Sequence, residues 1–330
     1  MIGICQFGAG RIGRIHAANV AAHPKAALRY VVDVAEQTAE SLAERYGAAV
    51  ADAPTALGDA TVDAVIVAST TDTHAELIEA AARAGKAIFC EKPIDLDLGP
   101  VDRCLAEVER RGVMLMVGFN RRFDPSFAAL HRTLGEGRIG RIELVSITSR
   151  DPEPPPMDYV KGSGGLFRDM TIHDFDMARW LLGEEPVEVF AWASCLVDDA
   201  IGAAGDVDTA VVVLKTAGGA ICQINNSRRA VYGYDQRIEV LGSSGMLRAG
   251  NRTPTSVELS TTDGIVRDKP LYSFLERYTD SYRAELDHFI ACVRGEATPL
   301  IGARDGRMAL LLAEAAWESH RRGKPVKVRA

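Results

Sequence analysis

The sequence lacks the features that mark membrane-spanning, secreted and metal-clustering proteins. It has no apolar run of about 18 residues, the length of a membrane-crossing helix, and a glycine-rich stretch stands near its start instead of a signal peptide. The six cysteines form no C-x-x-C pair and the seven histidines are scattered, so neither a disulfide framework nor a metal site is indicated. We expect a cytoplasmic protein that needs no metal.

An excess of basic residues is also absent. Lys and Arg number 38 against 45 Asp and Glu, the net charge is -7, and the basic residues are spread along the chain. Nucleic-acid backbones are bound by clustered positive charge, so a nucleic-acid partner is not expected. Nothing in the composition indicates a membrane partner either.

The chain is long enough for two hydrophobic cores, and its pattern changes near residue 120. It has 330 residues, of which 47% are hydrophobic. Up to residue 120, apolar runs alternate with amphipathic stretches, which predicts an α/β domain with a doubly wound parallel sheet of the Rossmann type. From 121 to 330, longer β-rich segments and turn residues predict an α+β domain built on an open, mostly antiparallel sheet, with two helices closing the chain.

A glycine-rich loop, G-A-G-R-I-G from Gly8 to Gly13, follows the first predicted strand and opens the first predicted helix. Such glycines permit a tight turn, and the helix N-terminus presents N–H groups to a pyrophosphate, so a dinucleotide site is favoured over a merely tight turn. Asp33 ends the second strand, 20 residues after Gly13. Its carboxylate could bind both ribose hydroxyls of NAD and repel the 2'-phosphate of NADP, or it could cap the next helix.

Polar side chains also follow later strands of this domain, at the edge where open α/β sheets bind ligands. Ser69, Thr70 and His74 come after the fourth strand and either line the cofactor cleft or begin the next helix. Glu91 and Lys92 follow the fifth strand, where the ammonium either stabilises a developing alkoxide or is a solvated surface charge. The residues predicted to contact the cofactor are Gly8, Gly10, Arg11, Ile12, Gly13, Asp33, Ser69, Thr70, His74, Glu91 and Lys92.

Asp169 and His173 lie four residues apart, a spacing that places two side chains on one face of a helix. The carboxylate could orient the imidazole, which titrates near neutral pH and could take a hydroxyl proton as hydride leaves carbon. Two alternatives remain open. Asp174 or Asp176 could supply the carboxylate, or His173 could satisfy a buried hydrogen bond in a helix that packs on the core. With Lys92, the segment predicts alcohol oxidation by a nicotinamide cofactor.

Several motifs together carry a resemblance along essentially the whole chain. They are G-A-G-R-I-G, Glu91-Lys92-Pro93, G-F-N-R-R-F-D from Gly118 to Asp124, S-R-D-P from Ser149 to Pro152, D-M-T-I-H-D-F-D-M-A-R from Asp169 to Arg179, and N-S-R with Y-G-Y-D between Asn226 and Asp235. With these motifs the chain resembles the family of glucose-fructose oxidoreductase, inositol dehydrogenase and rhizopine-catabolism proteins. The first two motifs are shared by many activities of that family, whereas the last three are typical of its inositol enzymes.

The resemblance implies a catalytic group and a set of substrate contacts. The catalytic group is Lys92, Asp169 and His173, and the implied substrate contacts are Lys92, Asn120, Asp151, Asp169, His173 and Tyr234. Three of the contacts have simpler alternatives, since Asn120 could belong to a turn, Asp151 could fix the bend before the prolines, and Tyr234 could be a sheet residue.

The resemblance also implies an activity and an assembly. The activity is NAD-dependent oxidation of a secondary hydroxyl of myo-inositol to a keto-inositol. The implied domains are a dinucleotide-binding domain at 1–120 and a substrate-binding and oligomerisation domain at 121–330, often in a tetramer. The alternatives are oxidation of another polyol or aldose and, less favoured, a nicotinamide or sugar sensor without turnover, because a sensor needs neither Lys92 nor His173 for proton transfer.

Overall fold

The computed structural model describes residues 1–329, and the chain divides into two compact units. The first unit consists of Met1–Asn120 and Ser281–Leu310, and the second consists of Arg121–Asp280 with the chain from Leu311 onward. The segment Ser281–Leu310 was expected in the second domain, but its contacts place it in the first unit. The functional division at 1–120 and 121–330 stays a prediction.

The first unit contains a six-stranded parallel sheet with the strand order β3-β2-β1-β4-β5-β6. Its strands are β1 (Ile2–Phe7), β2 (Ala26–Val32), β3 (Ala49–Val50), β4 (Ala64–Val67), β5 (Ala87–Glu91) and β6 (Leu115–Gly118). The helices among them are α1 (Arg11–Ala22), α2 (Glu36–Tyr46), α3 (Ala53–Gly58), α4 (His74–Arg83) and α5 (Leu98–Arg111). Strands β4 and β6 are buried at every residue, as a sheet covered on both faces requires. The predicted doubly wound parallel sheet is confirmed.

The order of the strands reverses beside β1, and this reversal places two loops together. β1 pairs with β2 on one side and with β4 on the other, and Phe7 at the end of β1 lies opposite Val67 at the end of β4. In open α/β sheets, ligands bind in the crevice that such a reversal opens at the carboxyl ends of the strands. The loops that begin at Gly8 and Ala68 therefore border the expected cofactor site.

The second unit contains a seven-stranded sheet with the order β12-β11-β7-β10-β9-β8-β15 and a separate hairpin of β13 and β14. Its strands are β7 (Ile142–Arg150), β8 (Pro186–Ser194), β9 (Thr209–Thr216), β10 (Ile221–Ser227), β11 (Asp235–Gly242), β12 (Gly245–Ala249), β13 (Glu258–Thr261), β14 (Gly264–Arg267) and β15 (Val326–Lys327). Its helices are α6 (Pro125–Gly135), α7 (Met157–Gly162), α8 (Ile172–Leu182), α9 (Asp199–Ala203) and α10 (Phe274–Arg277). Only β7 and β10 pair in parallel within this sheet, so the mostly antiparallel prediction is confirmed.

Two long helices follow, α11 (Thr279–Val293) and α12 (Ala303–Arg322), close to the helical stretches that the sequence predicts. From Ser281, α11 belongs to the first unit, whereas α12 begins in the first unit and continues in the second after Leu310. Within residues 1–329, no helix combines the length and the apolar character that crossing a membrane demands.

The seven-stranded sheet has one buried and one exposed face. Along β9, Val212 and Leu214 are fully buried, whereas Val211 and Val213 between them are 46% and 36% exposed. Trp192 on the neighbouring strand β8 is 66% exposed. This alternation is typical of an antiparallel sheet with a single packed face, and here the other face carries large apolar side chains.

A buried carboxyl group lies inside the first unit. Glu285 on α11 is fully buried, and neither of its carboxyl oxygens has a hydrogen-bond partner among the described residues. Burial raises the pKa of Glu285 well above its usual value, and the nearby charge of Glu91 raises it further. The folded chain therefore favours the protonated form of Glu285.

We expect Glu285→Gln to stabilise the protein at neutral pH. The unfolded chain loses the Glu285 proton near its ordinary pKa of about 4.3, whereas the folded chain retains it, so wild-type stability falls as pH rises above that value. A glutamine side chain has nearly the shape of the protonated Glu285 side chain, but it does not titrate. Thermal unfolding between pH 4.5 and 8 should show a variant advantage that grows with pH, roughly 2–4 °C for each kcal/mol gained.

The exposed Glu44→Gln on α2 is the matched control, and it should change the melting temperature little at any pH. A Glu285→Gln advantage that does not vary with pH would show that Glu285 does not titrate differently in the folded and unfolded chains.

Candidate active site

The loop Gly8–Gly13 joins β1 to α1 in a conformation that its glycines require. Gly8 has a φ of +98°, and a Cβ there would lie 2.4 Å from the carbonyl oxygen of Ala68. A Cβ on Gly13 would lie 2.2 Å from the carbonyl oxygen of Gly8. By contrast, a Cβ on Gly10 would meet no atom within 4 Å. The loop is therefore closely packed at Gly8 and Gly13 and open at Gly10.

The open position stands at the N-terminus of α1. Gly10 is the N-cap residue and no side chain caps the helix there, so the first turn, with Arg11 and Ile12, presents backbone amides and the positive end of the helix dipole. The buried side-chain amide of Gln6 donates to the carbonyl oxygens of Gly8 and Gly13 at 2.8 Å each and so fixes the loop. These residues fit the pyrophosphate of a dinucleotide.

Asp33 follows β2 and is bound to the same loop. Its Oδ2 accepts a hydrogen bond from the amide of Ala9 at 2.6 Å, and its Oδ1 accepts one from the amide of Ala35 at 2.8 Å. Ala35, rather than Asp33, is the N-cap residue of α2. A carboxylate can accept about four hydrogen bonds, so the two backbone contacts leave capacity for ribose hydroxyls. The carboxylate therefore both shapes the loop and suits NAD.

His74 links the loop after β4 to the turn after β5. His74 is 1% exposed, with Nδ1 2.8 Å from the carbonyl oxygen of Pro93 and Nε2 3.1 Å from that of Ser69. Burial lowers the pKa of His74 and so favours the neutral ring, which donates to only one of the two carbonyl oxygens. Nearby, Thr73 Oγ1 bonds Ser69 Oγ at 2.6 Å and the Thr70 carbonyl at 2.7 Å. Cofactor contacts of Ser69, Thr70 and His74 stay a prediction.

Glu91 ends β5 and is anchored on α1. The side chain of Glu91 places Oε1 2.6 Å from Nε2 of His16, and both residues are buried. Lys92 follows directly, is partly exposed, and forms a cis peptide bond with Pro93. Lys92 thus projects from a turn whose neighbours are held by His16 and His74.

In the second unit, Asp169 and His173 lie in two different kinds of helix. Asp169 belongs to a π-helical turn, Phe167–Thr171, and His173 is the second residue of α8. The i, i+4 relation of a regular α-helix therefore does not apply unchanged to this pair. Single π-helical turns are frequent at functional sites.

Both oxygens of the Asp169 carboxylate are held. Tyr159 on α7 donates its hydroxyl to Oδ1 at 2.7 Å, and Arg228 donates from Nη1 to Oδ2 at 3.0 Å. The Asp169 side chain is 11% exposed, and His173 is also partly exposed. Asp169 therefore supplies a fixed negative charge, and His173, four residues later, is partly exposed with its Nδ1 atom buried.

The two alternative carboxylates are bound in buried ion pairs. Asp174 Oδ1 lies 2.5 Å from Arg121 Nη1, and its Oδ2 accepts from the side-chain amide of Asn226 at 2.8 Å. Asp176 Oδ1 lies 2.5 Å from Arg122 Nη2. The side chains of Asp174 and Asp176 are 0% and 1% exposed. They serve to hold α8, and of the three carboxylates in the segment the Asp169 side chain, at 11%, is the most exposed.

The predicted substrate contacts occupy several places. Asn120 is buried at the start of a 3₁₀ turn in the first unit. Asp151 follows β7, where its amide donates to the Ser227 carbonyl at 3.0 Å, and burial raises the pKa of Asp151 to about 6. Tyr234 is 7% exposed and packs edge-on against Tyr278, with the ring centroids 6.0 Å apart. Asp151 and Asp169 are brought together around Arg228.

Sequence reasoning missed Tyr159 and Arg228 as the partners of Asp169. Arg228 ends the N-S-R motif, which contributes to the resemblance, but the resemblance implies no role for this arginine. No local signal marks Tyr159, because its contact with Asp169 arises only when α7 packs against the π-helical turn.

The glycine loop with Asp33, the lysine after β5 and the histidine–carboxylate segment define a nicotinamide-dependent oxidoreductase. The chain belongs to the family of glucose-fructose oxidoreductase, inositol dehydrogenase and rhizopine-catabolism proteins. The model of this oxidoreductase family's NAD-binding Rossmann fold matches residues 2–119, and that of its C-terminal alpha/beta domain matches residues 132–328. The resemblance inferred from the motifs is confirmed.

Individual relatives extend the match over the whole chain. Inositol 2-dehydrogenase of Rhizobium meliloti strain 1021 is 54% identical over 314 residues, which cover 95% of each chain. Myo-inositol 2-dehydrogenase of Thermotoga maritima is 51% identical over 324 residues, covering 98% of this chain and 97% of the relative. The structure of scyllo-inositol dehydrogenase from Lactobacillus casei with bound NAD(H) and scyllo-inositol is similar with a TM-score of 0.93, at 29% identity and full coverage of both chains.

Proposed function

We propose that this protein oxidises a secondary hydroxyl of myo-inositol to a ketone with NAD as the hydride acceptor. The observation that carries the proposal is the anchored carboxylate of Asp169, four residues before the partly exposed His173. The two relatives above 50% identity bear the names inositol 2-dehydrogenase and myo-inositol 2-dehydrogenase. Oxidation of an alcohol requires removal of its hydroxyl proton, and this reaction agrees with both the site and the names of the two relatives.

In the proposed mechanism, three side chains act on one hydroxyl. His173 takes the hydroxyl proton, because an imidazole titrates near neutral pH. Asp169, fixed by Tyr159 and Arg228, orients the imidazole or the substrate and favours the imidazolium that forms. The ammonium of Lys92 stabilises the developing alkoxide. When bound, NAD supplies the acceptor for the hydride.

Cofactor and substrate contacts complete the proposal. The loop residues Gly8, Gly10, Arg11, Ile12 and Gly13 would hold the pyrophosphate, and Asp33 would bind the ribose. Further proposed cofactor contacts are Ser69, Thr70, His74, Glu91 and Lys92, and the proposed polyol contacts are Lys92, Asn120, Asp151, Asp169, His173 and Tyr234.

NADH formation by the purified protein tests the activity. The substrates would be myo-inositol, scyllo-inositol, chiro-inositol, glucose and xylose, each with NAD and with NADP. We expect turnover led by myo-inositol with NAD, because Asp33 disfavours a 2'-phosphate. Turnover led by another sugar would overturn the assignment of myo-inositol as the substrate but keep the proposed chemistry. A preference for NADP would show that Asp33 does not select the cofactor. Cofactor binding without turnover of any sugar would favour a sensor.

Substitution of His173 tests the base. His173→Ala should lower kcat about 10²–10⁴-fold, the usual contribution of a general base, while calorimetry shows nearly unchanged NAD affinity. His320→Ala is the matched control, since His320 is another partly exposed histidine of the second unit and should leave kcat unchanged. Near-normal turnover by His173→Ala would remove His173 from the base role.

We also propose a homotetramer that uses the exposed face of the seven-stranded sheet. Trp192, Val211 and Val213 give this face large apolar side chains, which a partner would bury. Light scattering should give a mass of four chains, and Trp192→Lys should lower it, whereas Leu259→Lys in the β13–β14 hairpin should not. A monomeric wild type would overturn the proposal.

A further inference from the structure

Arg228 occupies the centre of a buried polar cluster in the second unit. The register of the parallel strands β7 and β10 pairs Arg150 with Ser227, so the next residues, Asp151 and Arg228, leave the sheet side by side. Arg228 Nη1 lies 3.0 Å from Asp169 Oδ2 and 3.5 Å from Asp151 Oδ2. One guanidinium thus joins two carboxylates that come from different elements.

The backbone of Arg228 is held by a hydrogen bond, and its surroundings favour the charged guanidinium. Its backbone amide donates to the Asp208 carbonyl at 2.9 Å. Burial opposes the charge, yet the carboxylates of Asp169, Asp151 and Asp206 raise the pKa of Arg228 above its usual value. For Asp151, burial is the larger effect on the pKa, while Arg228 and Arg121 lower it and Asp169 raises it. Arg228 therefore stays charged between carboxylates of opposite sign.

Two donor nitrogens of the Arg228 guanidinium are left without a partner in the fold of residues 1–329. Nε and Nη2 of Arg228 are buried and have no hydrogen-bond partner among the described residues, although buried donors are nearly always paired. Exposure to solvent increases across the cluster: the side chains of Arg228, Asp169 and Asp151 are 3%, 11% and 25% exposed. The cluster therefore opens toward Asp151.

A hydroxyl group is the natural complement of this arrangement. A hydroxyl both accepts and donates a hydrogen bond, and Arg228 offers donors while Asp151 offers acceptors. Hydrogen bonds to charged groups are stronger than those between neutral groups. A polyol, which carries several neighbouring hydroxyls, could engage the cluster with one hydroxyl and leave another for oxidation.

We propose that Arg228 is a polyol-binding residue, whose Nε–H and Nη2–H groups donate to a substrate hydroxyl other than the one oxidised, while that hydroxyl donates to Asp151. The inference rests on the proposed function, because it requires a polyol substrate. The ion pair with Asp169 orients the guanidinium for this contact, so Arg228 links the binding of the polyol to the placement of the catalytic carboxylate.

Kinetics of Arg228→Met and Arg228→Lys test the inference, with the exposed neighbour Arg229→Met as matched control. The probes are myo-inositol and its monodeoxy analogues, each lacking one hydroxyl. Wild type and Arg229→Met should lose about 10–100-fold in kcat/KM on one particular deoxy analogue, the range for a hydrogen bond to a charged group. Arg228→Met should be slower on myo-inositol but show almost no further loss on that analogue.

The lysine variant covers the case in which the methionine variant does not fold. A lysine keeps the charge but lacks the planar fork, so Arg228→Lys should also lose most of the discrimination against that analogue. NAD affinity, measured by calorimetry, should stay unchanged in both variants. A purely structural role would instead lower the melting temperature and kcat while leaving the deoxy discrimination as in wild type.

The outcomes separate the inference from the proposed function. Wild-type turnover of myo-inositol with equal deoxy discrimination in wild type and the Arg228 variants would overturn the inference alone. A wild type that neither turns over nor binds any of the polyols would overturn the proposed function and the inference together.

Discussion

Buried arginine–carboxylate pairing organises the second unit and withdraws two of its acidic residues, Asp174 and Asp176, from solvent. Arg121 and Arg122, at the start of the unit, bind Asp174 and Asp176 of α8. Removal of one partner from such a pair typically costs about 3–5 kcal/mol, because a buried charge is left uncompensated. These pairs fix α8, and with it the position of His173, while their own carboxylates are withdrawn from solvent.

Asp169 is paired differently from Asp174 and Asp176. It precedes α8 in a π-helical turn, where Tyr159 and Arg228 hold both of its oxygens but leave part of the side chain exposed. A carboxylate held at both oxygens keeps its position and its charge in place, which is the preorganisation that the proposed proton transfer requires. The same arginine that holds Asp169 also contacts Asp151, so one guanidinium joins the π-helical turn to the residue that follows β7.

In the first unit, the glycine loop is shaped by close packing of the backbone and not by ion pairs like those of the second unit. Gly8 and Gly13 pack so closely that side chains there would overlap neighbouring carbonyl oxygens, whereas Gly10 leaves open space at the N-terminus of α1. His74 and the His16–Glu91 contact then fix the turns that follow β4 and β5, including the one that carries Lys92. These hydrogen bonds hold the turns in place, as precise placement of a reactive atom would require.

Periodicity and local motifs determined much of this protein before any tertiary contact is considered. The alternation of apolar runs and amphipathic stretches predicts the parallel sheet. The spacing of Gly8, Gly13 and Asp33 predicts the dinucleotide loop. Both predictions are possible because these patterns can be read within short stretches of the sequence. Tertiary structure alone decided the return of Ser281–Leu310 to the first unit and the complete burial of the Asp174 side chain, in contrast to the 11% exposure of Asp169. Those outcomes depend on contacts between residues that are distant in sequence, such as Arg121 and Asp174, which lie 53 positions apart. A local sequence pattern carries no information about which distant charge a carboxylate contacts.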